Sequence, residues 1–438
     1  MGFIFCIAFE KVVYADMVII NGSDEYSYYQ NGAGITITGY SGNETDLHIP
    51  DILNTYHVTA IGNDAFIFNG NLKSVTIPYL VTSIGKQAFR GCSSLERVTI
   101  EGNINTIGEY AFYGCSRLEY IGDSDGSAYI GPINFIWRYT FAGCSSLKKF
   151  FIPKETRYIA EDAFWGTDSF EGFHYDLRNE YFYVDYAGVL YNHDQTKLIK
   201  YPAGSDVTNY KIPATVTQIG TDAFRNSDIS NVELPDGLVS VGDRAFYGCK
   251  KLQQIILPNT VTTLGVSCFS QCSELKILQM SDSITEIGEY AFAECSGLEK
   301  LALPSSLKSI GENAFIDCRG LKTIALDEQN DDYKIIDGIL YTKDGTHLVH
   351  CPARLDVICY SIPDTVIQVD NYAFQHTKSL EYISIPASVE KLGQGCFEDT
   401  GIHNLTVPDT ISSVDSSIVR YCENLTAIAF PEGMSYFN

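Results

Sequence analysis

One recurring element restricts the fold of this chain more than any bulk property. A phenylalanine preceded by Ala or Cys stands at Phe66, Phe89, Phe112, Phe164, Phe224, Phe246, Phe269, Phe292, Phe315, Phe374 and Phe397, and Phe141 joins the set with Thr140 before it. Most steps are 23 residues; Phe224 to Phe246 is 22, Phe112 to Phe141 is 29, and Phe164 to Phe224 and Phe315 to Phe374 are 60 and 59. A worn last unit has Val419 in the Phe place. A unit this short cannot bury its own apolar face, so it must stack on its neighbours. Length alone suggests roughly three domains; the repeat replaces that expectation with one array of about 13 units.

Within a unit the pattern is Leu-x-x-Val/Ile-x-Ile-Pro, then Val-x-x-Ile-Gly-x-x-Ala-Phe-x-x-Cys-x-x-Leu, as in Leu72 to Leu95. Val75 and Ile77 alternate with Ser74 and Thr76, which predicts a half-buried strand. Pro78 ends it, having no N–H for a ladder. Eleven of the 14 prolines occupy this place, from Pro50 to Pro431. Gly85 suggests a turn with positive φ. Ala88, Phe89, Cys92 and Leu95 fall at offsets 0, 1, 4 and 7, which predicts one face of a short helix.

The recurring Ile-Pro, Ile-Gly, Ala-Phe and Cys-x-x-Leu elements resemble the BspA-like leucine-rich repeat family of secreted and surface proteins. The resemblance covers about residues 45–431. It implies an α/β repeat solenoid: a leucine-rich-repeat right-handed superhelix with a parallel sheet on one face and about 13 repeats of 23 residues. Residues 16–60 read as a β-rich N-terminal cap, including Ile35-Thr-Ile-Thr-Gly-Tyr40, and 61–438 as a single solenoid. Two matching inserts, about 175–211 and 327–361, read as β-hairpin excursions. Their counterparts are offset by 150 residues: Gly188 and Gly338, Tyr191 and Tyr341, Pro202 and Pro352.

Thirteen cysteines first suggest a disulfide framework. Eight sit three residues after the Phe place (92, 115, 144, 249, 272, 295, 318 and 422), where other units carry Thr167, Ser227, Thr377 and Thr400. Exchange with Thr and Ser predicts a site for a small side chain, and stacked equivalents do not face one another as a disulfide requires. Cys351 and Cys359 stand near enough in sequence for a bridge to stay open. The N-terminus reads as the tail of a signal peptide over 1–15, with Val13 and Ala15 before Asp16; an apolar strand is the alternative.

With 30 Lys+Arg against 54 Asp+Glu the formal charge is −24. Nucleic acid and anionic membrane surfaces are therefore disfavoured partners, and no apolar run reaches the ~20 residues of a membrane span. His347-Leu-Val-His350 is the one histidine cluster, but i and i+3 on a strand point to opposite faces. Asp123-Ser-Asp-Gly-Ser127 opens like a calcium loop yet has Asn134 where a Glu belongs, so it reads as a loop insertion. No phosphate loop, serine elbow or His-Glu-x-x-His is present. No catalytic residue, cofactor or metal is expected.

What remains is a surface. Strand alternation turns Arg97, Thr99, Lys149, Phe151, Gln254, Ile256, Ile277, Gln279, Lys300 and Tyr382 outward. Solenoids use such faces for binding, and apolar or aromatic members are the type that anchors interfaces. The resemblance implies a secreted or cell-surface protein that binds proteins, a host or matrix protein or another cell surface, without catalysis. A structural spacer within a larger surface protein is the second reading, and a hydrolase using the inserts is the third.

Overall fold

The computed structural model describes residues 16–20, 24–123, 129–432 and 434, with side chains described from residue 26 onward. Residues 1–15 and most of the Asp123–Ser127 motif lie outside them. The chain forms two compact units, Met1–Tyr181 and Phe182–Asn438.

The first unit begins with an antiparallel meander of Asp16–Ile20, Asp24–Asn31 and Gly34–Tyr40. The last of these pairs parallel with Tyr56–Ile61, which opens a ladder continued by Ser83–Ile84 and Thr106–Ile107. A second parallel ladder runs through Asp46–His48, Ser74–Ile77, Arg97–Ile100 and Tyr120–Gly122. Each turn thus carries a longer and a shorter strand, and both are stacked. The second unit repeats this scheme, with Asn209–Lys211, Asn231–Glu233, Gln254–Ile256 and Ile277–Gln279 in one ladder. Gln218–Ile219 to Ser309–Ile310 form the other.

The expected α/β character is not found: no helix occurs among the described residues, and the turns number about 17 rather than 13. The helical offsets mislead because the backbone donors are spent elsewhere. Phe66 N–H donates to Ala88 O in the next turn (2.8 Å), as Asp64 N–H does to Lys86 O (3.0 Å) and Phe68 N–H to Arg90 O (2.7 Å). The donors between them close tight turns: Ile67 N–H to Asp64 O and Asn69 N–H to Phe66 O, both 3.1 Å. Asp64 and Phe68 reach this geometry at φ 58° and 55°. The same two left-handed places recur as Gln87 and Gly91, Tyr110 and Gly114, and Tyr290 and Glu294. A left-handed residue every few positions forbids an α-helix. The Phe rings stack instead in ladders, one in the first unit beginning at Phe66–Phe89 (4.9 Å between centroids, 4° apart) and one in the second reaching Phe292–Phe315 (6.0 Å, 6°).

Gly85 is absent from the positive-φ residues; its role is close approach, since an added Cβ would lie 2.5 Å from the Gly62 carbonyl carbon. The cysteines are all free among the described residues, Cys351 and Cys359 included. Each ladder thiol donates to the Phe carbonyl of the preceding turn, as Cys92 to Phe66 O and Cys115 to Phe89 O, both 3.0 Å. Thr167 and Thr400 satisfy the Phe carbonyl of their own turn instead (2.8 and 2.9 Å). The exchange of Cys with Thr therefore reflects a small donor as well as small volume. Burial pushes the thiols of Cys249 and Cys318 up to about 12.

The inserts are not excursions from the stack. Each is three antiparallel strands, and the third joins the short-strand ladder: Lys197–Lys200 pairs parallel with Gln218–Ile219, and His347–His350 with Gln368–Val369. Tyr201 takes the Phe place, stacking on Phe224 at 4.8 Å and donating its N–H to Ala223 O. Each insert therefore adds turns that a count of phenylalanines misses. No helix among the described residues is long and apolar enough to cross a membrane.

Candidate binding surface

Alternation places the ten outward residues on the longer-strand face, where the pattern of buried Val98 and Ile100 between Arg97 and Thr99 is typical. In the second unit Gln254 pairs with Ile277 and Ile256 with Gln279. Ile256 and Ile277 are thus diagonal neighbours on adjacent strands, 52% and 56% exposed. Lys300–Leu303 follows one turn on and exposes Lys300 and Ala302. Beside Ile256 lies a concavity of about 560 Å³ lined by Asn209, Lys211, Asn231, Glu233 and Gln254. Asn231 Nδ2 donates to Asn209 Oδ1 at 2.7 Å, and Lys211 pairs with Glu233.

The other predicted residues are not brought into this patch. Tyr382 is exposed further along the second unit, stacked on His403 at 5.5 Å. In the first unit Arg97 lies over the Tyr120 ring at 4.4 Å, and Thr99 is half-buried. Lys149 stands 3.9 Å from Glu171, and half-buried Phe151 meets Tyr129 edge-on at 6.0 Å.

Sequence reasoning missed a second exposed group, on the short-strand face of the first unit. Phe135, Trp137 and Tyr158 are 42%, 39% and 46% exposed. Phe135 stacks on Trp137 at 5.1 Å, Trp137 lies 6.1 Å from Tyr158, and Phe135 pairs in register with Tyr158. The signal was Phe135-Ile136-Trp137 in the 29-residue unit, with Ile136-Trp137 where most units have Ile-Gly.

No group of three or more His, Cys, Asp or Glu among the described residues could hold a metal. One histidine is electrostatically set. His376 donates or accepts between Asp317 Oδ1 (2.7 Å from Nε2) and Asp399 Oδ2 (2.6 Å from Nδ1), with its side chain 8% exposed. Burial lowers its pKa, but the two carboxylates outweigh that and raise it. The His376 bond in turn lowers Asp317. A raised histidine stabilises fully below its unfolded value and loses that contribution as pH rises through the folded one. A lowered carboxylate loses its contribution as pH falls. The bridge is therefore strongest between about pH 4 and 6.5. His376→Asn is expected to cost about 2 kcal/mol at pH 5.5, the scale of charge-assisted bonds, and less at pH 9. Thermal melts at both pH values test this; an equal loss at both would remove the charge from the account.

A leucine-rich repeat protein is the class that these stacked turns define. The BspA-type leucine-rich repeat model matches in 6 copies over residues 59–184, 202–330 and 356–438, most of the sequence, and the chain belongs to that family. A leucine-rich repeat protein from Eubacterium ventriosum shares the fold at 21% identity and TM-score 0.56, over 88% of this chain and 95% of that one. A pneumococcal vaccine antigen, PcpA, aligns at 19% identity and TM-score 0.44, over 95% and 87%. A leucine-rich cell surface protein from Faecalibacterium prausnitzii aligns at 21% and 0.37, over 94% of each chain. No curated protein sequence matches the chain.

Proposed function

We propose that this chain is a secreted or cell-surface binding protein that engages a protein partner, from a host, a matrix or another cell, through the longer-strand face of its second unit. The observation that carries the reading is the exposed Ile256–Ile277 pair, set among Gln254, Gln279 and Lys300 on a rigid ladder. Apolar anchors ringed by polar side chains are the usual anatomy of an interface centre, and a few turns supply the ~800 Å² that one partner contributes. The charge of −24 favours neutral or basic partners. No catalysis enters this reading.

A binding screen of the purified chain against host and matrix proteins tests it. Saturable binding is expected, weakened at least tenfold by Ile256→Asp with Ile277→Asp, whose sites are exposed and so leave folding intact. A chain that captures nothing saturably, or a double variant that binds as well as the parent, would sink the proposal.

A further inference from the structure

The second insert leaves a gap in one column of its unit. Five residues lead from the short-strand Ile310 to the core Phe315, but only three lead from Leu348 to Cys351. Cys351 stands in the Phe place, its N–H donating to Ala373 O at 2.7 Å. The insert's turn is therefore two residues shorter and has no counterpart of Glu312–Asn313 and Asn371–Tyr372 between them, and a cavity of about 260 Å³ lies there. The glycine column records the same gap. At Gly311 and Gly393 an added Cβ would lie 2.3 and 2.4 Å from a backbone nitrogen of the preceding turn, yet between them the place is held by Asp370.

Leu340 pairs with His350 while Tyr341 pairs with Leu348, so Val349 is a bulge. A bulge reverses the alternation that follows it. His347 and His350, expected on opposite faces in a solvated hairpin, consequently line the same cavity, and His350 is buried at 7% exposure. Two polar atoms are buried here without a partner: His350 Nε2 and Asn313 Oδ1. Asn313 spends its amide nitrogen on the Tyr290 hydroxyl (2.9 Å), which leaves the oxygen open. Burial holds the His350 ring down to about 4, so it is neutral at physiological pH. Phe315, 3% exposed and stacked on Phe292, lies 5.6 Å behind that ring, and the part-exposed Ile310 and Val349 supply the apolar floor.

We propose that this cavity binds one neutral sugar ring, with hydroxyls on Asn313 Oδ1 and His350 Nε2 and its C–H face on Ile310 and Val349. A sugar ring is apolar on its faces and rich in donors and acceptors at its edge, which matches an apolar floor under unpaired amide and imidazole atoms. Leaving those atoms unpaired is unfavourable, and a hydroxyl both donates and accepts. The volume falls below the ~300–1,000 Å³ of sites for drug-sized ligands, so one ring is the fitting size. At the rim the Asp370 carboxylate is engaged by His347 (3.1 Å) and Gln368 (2.8 Å), and Glu312 and Lys391 stand there together, so charges of both signs are mixed rather than gathered to select an ion.

Titration of the full chain with glucose, galactose, mannose and N-acetylglucosamine, read by saturation-transfer NMR and calorimetry, tests the site. At least one is expected to bind saturably at one site per chain. His350→Phe, which keeps a ring and removes both nitrogens, and Asn313→Gly, which tolerates the φ of 56°, are each expected to weaken it at least tenfold. Asn313→Gly keeps the test decisive should the first variant fail to fold. Ile256→Asp leaves sugar binding unchanged, which separates this site from the sheet face. No binding by any of the four sugars, equal binding by a folded Asn313→Gly chain, or preference for acetate or ammonium over all four would overturn the proposal and leave a water-filled gap.

Discussion

Phe269→Ala is expected to destabilise the second unit by about 4 kcal/mol, within the range for deleting a buried aromatic ring. Phe269 is fully buried, stacked between Phe246 (5.2 Å, 7°) and Phe292 (5.7 Å, 4°). Its removal exposes the ring's share of apolar area and ends two aromatic contacts. The hole cannot close by collapse. Phe269 N–H is tied to Ala291 O (2.8 Å) and its carbonyl accepts the Cys295 thiol (3.1 Å), so the turns on either side are held at their spacing. Partial collapse is what makes such substitutions cheap elsewhere. For a unit of this size the loss corresponds to a fall in Tm of about 10 °C. Denaturant unfolding with an unchanged slope and a lower midpoint is the expected record; a midpoint within error of the parent would show that neighbouring turns can close the gap.

That ladder was legible because most turns repeat the same side chain for the same reason. Phe, Pro and Cys places recur at 23-residue steps wherever one turn rests on the next. The outward residues were legible too, since alternation around Val98 or Ile255 needs only a strand. What the sequence obscured was the conformation between those points. Ala88, Phe89, Cys92 and Leu95 satisfy helical offsets, yet Gln87 and Gly91 are left-handed and the amides between reach the next turn. Inter-turn hydrogen bonds cannot be read from one unit. Glycine at Gly91, Gly114, Gly143, Gly166 and Gly248, two places after Phe, was a hint, because glycine disfavours a helix interior and suits positive φ.

The candidate sites divide along the same line. Ile256 and Ile277 were recoverable from alternation, while Phe135, Trp137 and Tyr158 were not, because the short strands that carry them were read as a turn before a helix. Val369-Asp370 departs from the common Ile-Gly, as do Ile136-Trp137, Ile159-Ala160 and Val414-Asp415, so the departure alone did not mark the cavity that Asp370 lines. The inserts' shared 150-residue offset was visible, but their third strands join the stack through pairings that only three dimensions supply.

The glycine column also sets the second large effect: Gly108→Ala is expected to cost about 3 kcal/mol, although it adds a single methyl group at a residue with an ordinary φ. The new Cβ would lie 2.4 Å from Lys86 N and 2.6 Å from the Gly85 carbonyl carbon, where ordinary contact begins at 3.4 Å. Both atoms are backbone, so no side chain can swing away. Lys86 N is further held by Asn63 Oδ1 at 2.8 Å. Relief requires the turns to part by about an ångström against a ~4.8 Å strand spacing. That movement strains Gly108 N–H to Ile84 O (2.9 Å), Gln87 N–H to Glu109 O (3.0 Å) and Phe89 N–H to Ala111 O (2.8 Å). Overpacking in cores costs about 1–3 kcal/mol, and a clash borne wholly by backbone belongs at the upper end. Gly70→Ala is the matched control: its Cβ would meet nothing within 4 Å, so a change within about 0.5 kcal/mol is expected. Parallel thermal melts of the two variants decide the matter. Equal, small losses would mean that the turns can separate without breaking their ladders, and that the recurrent Ile-Gly is not there for close approach.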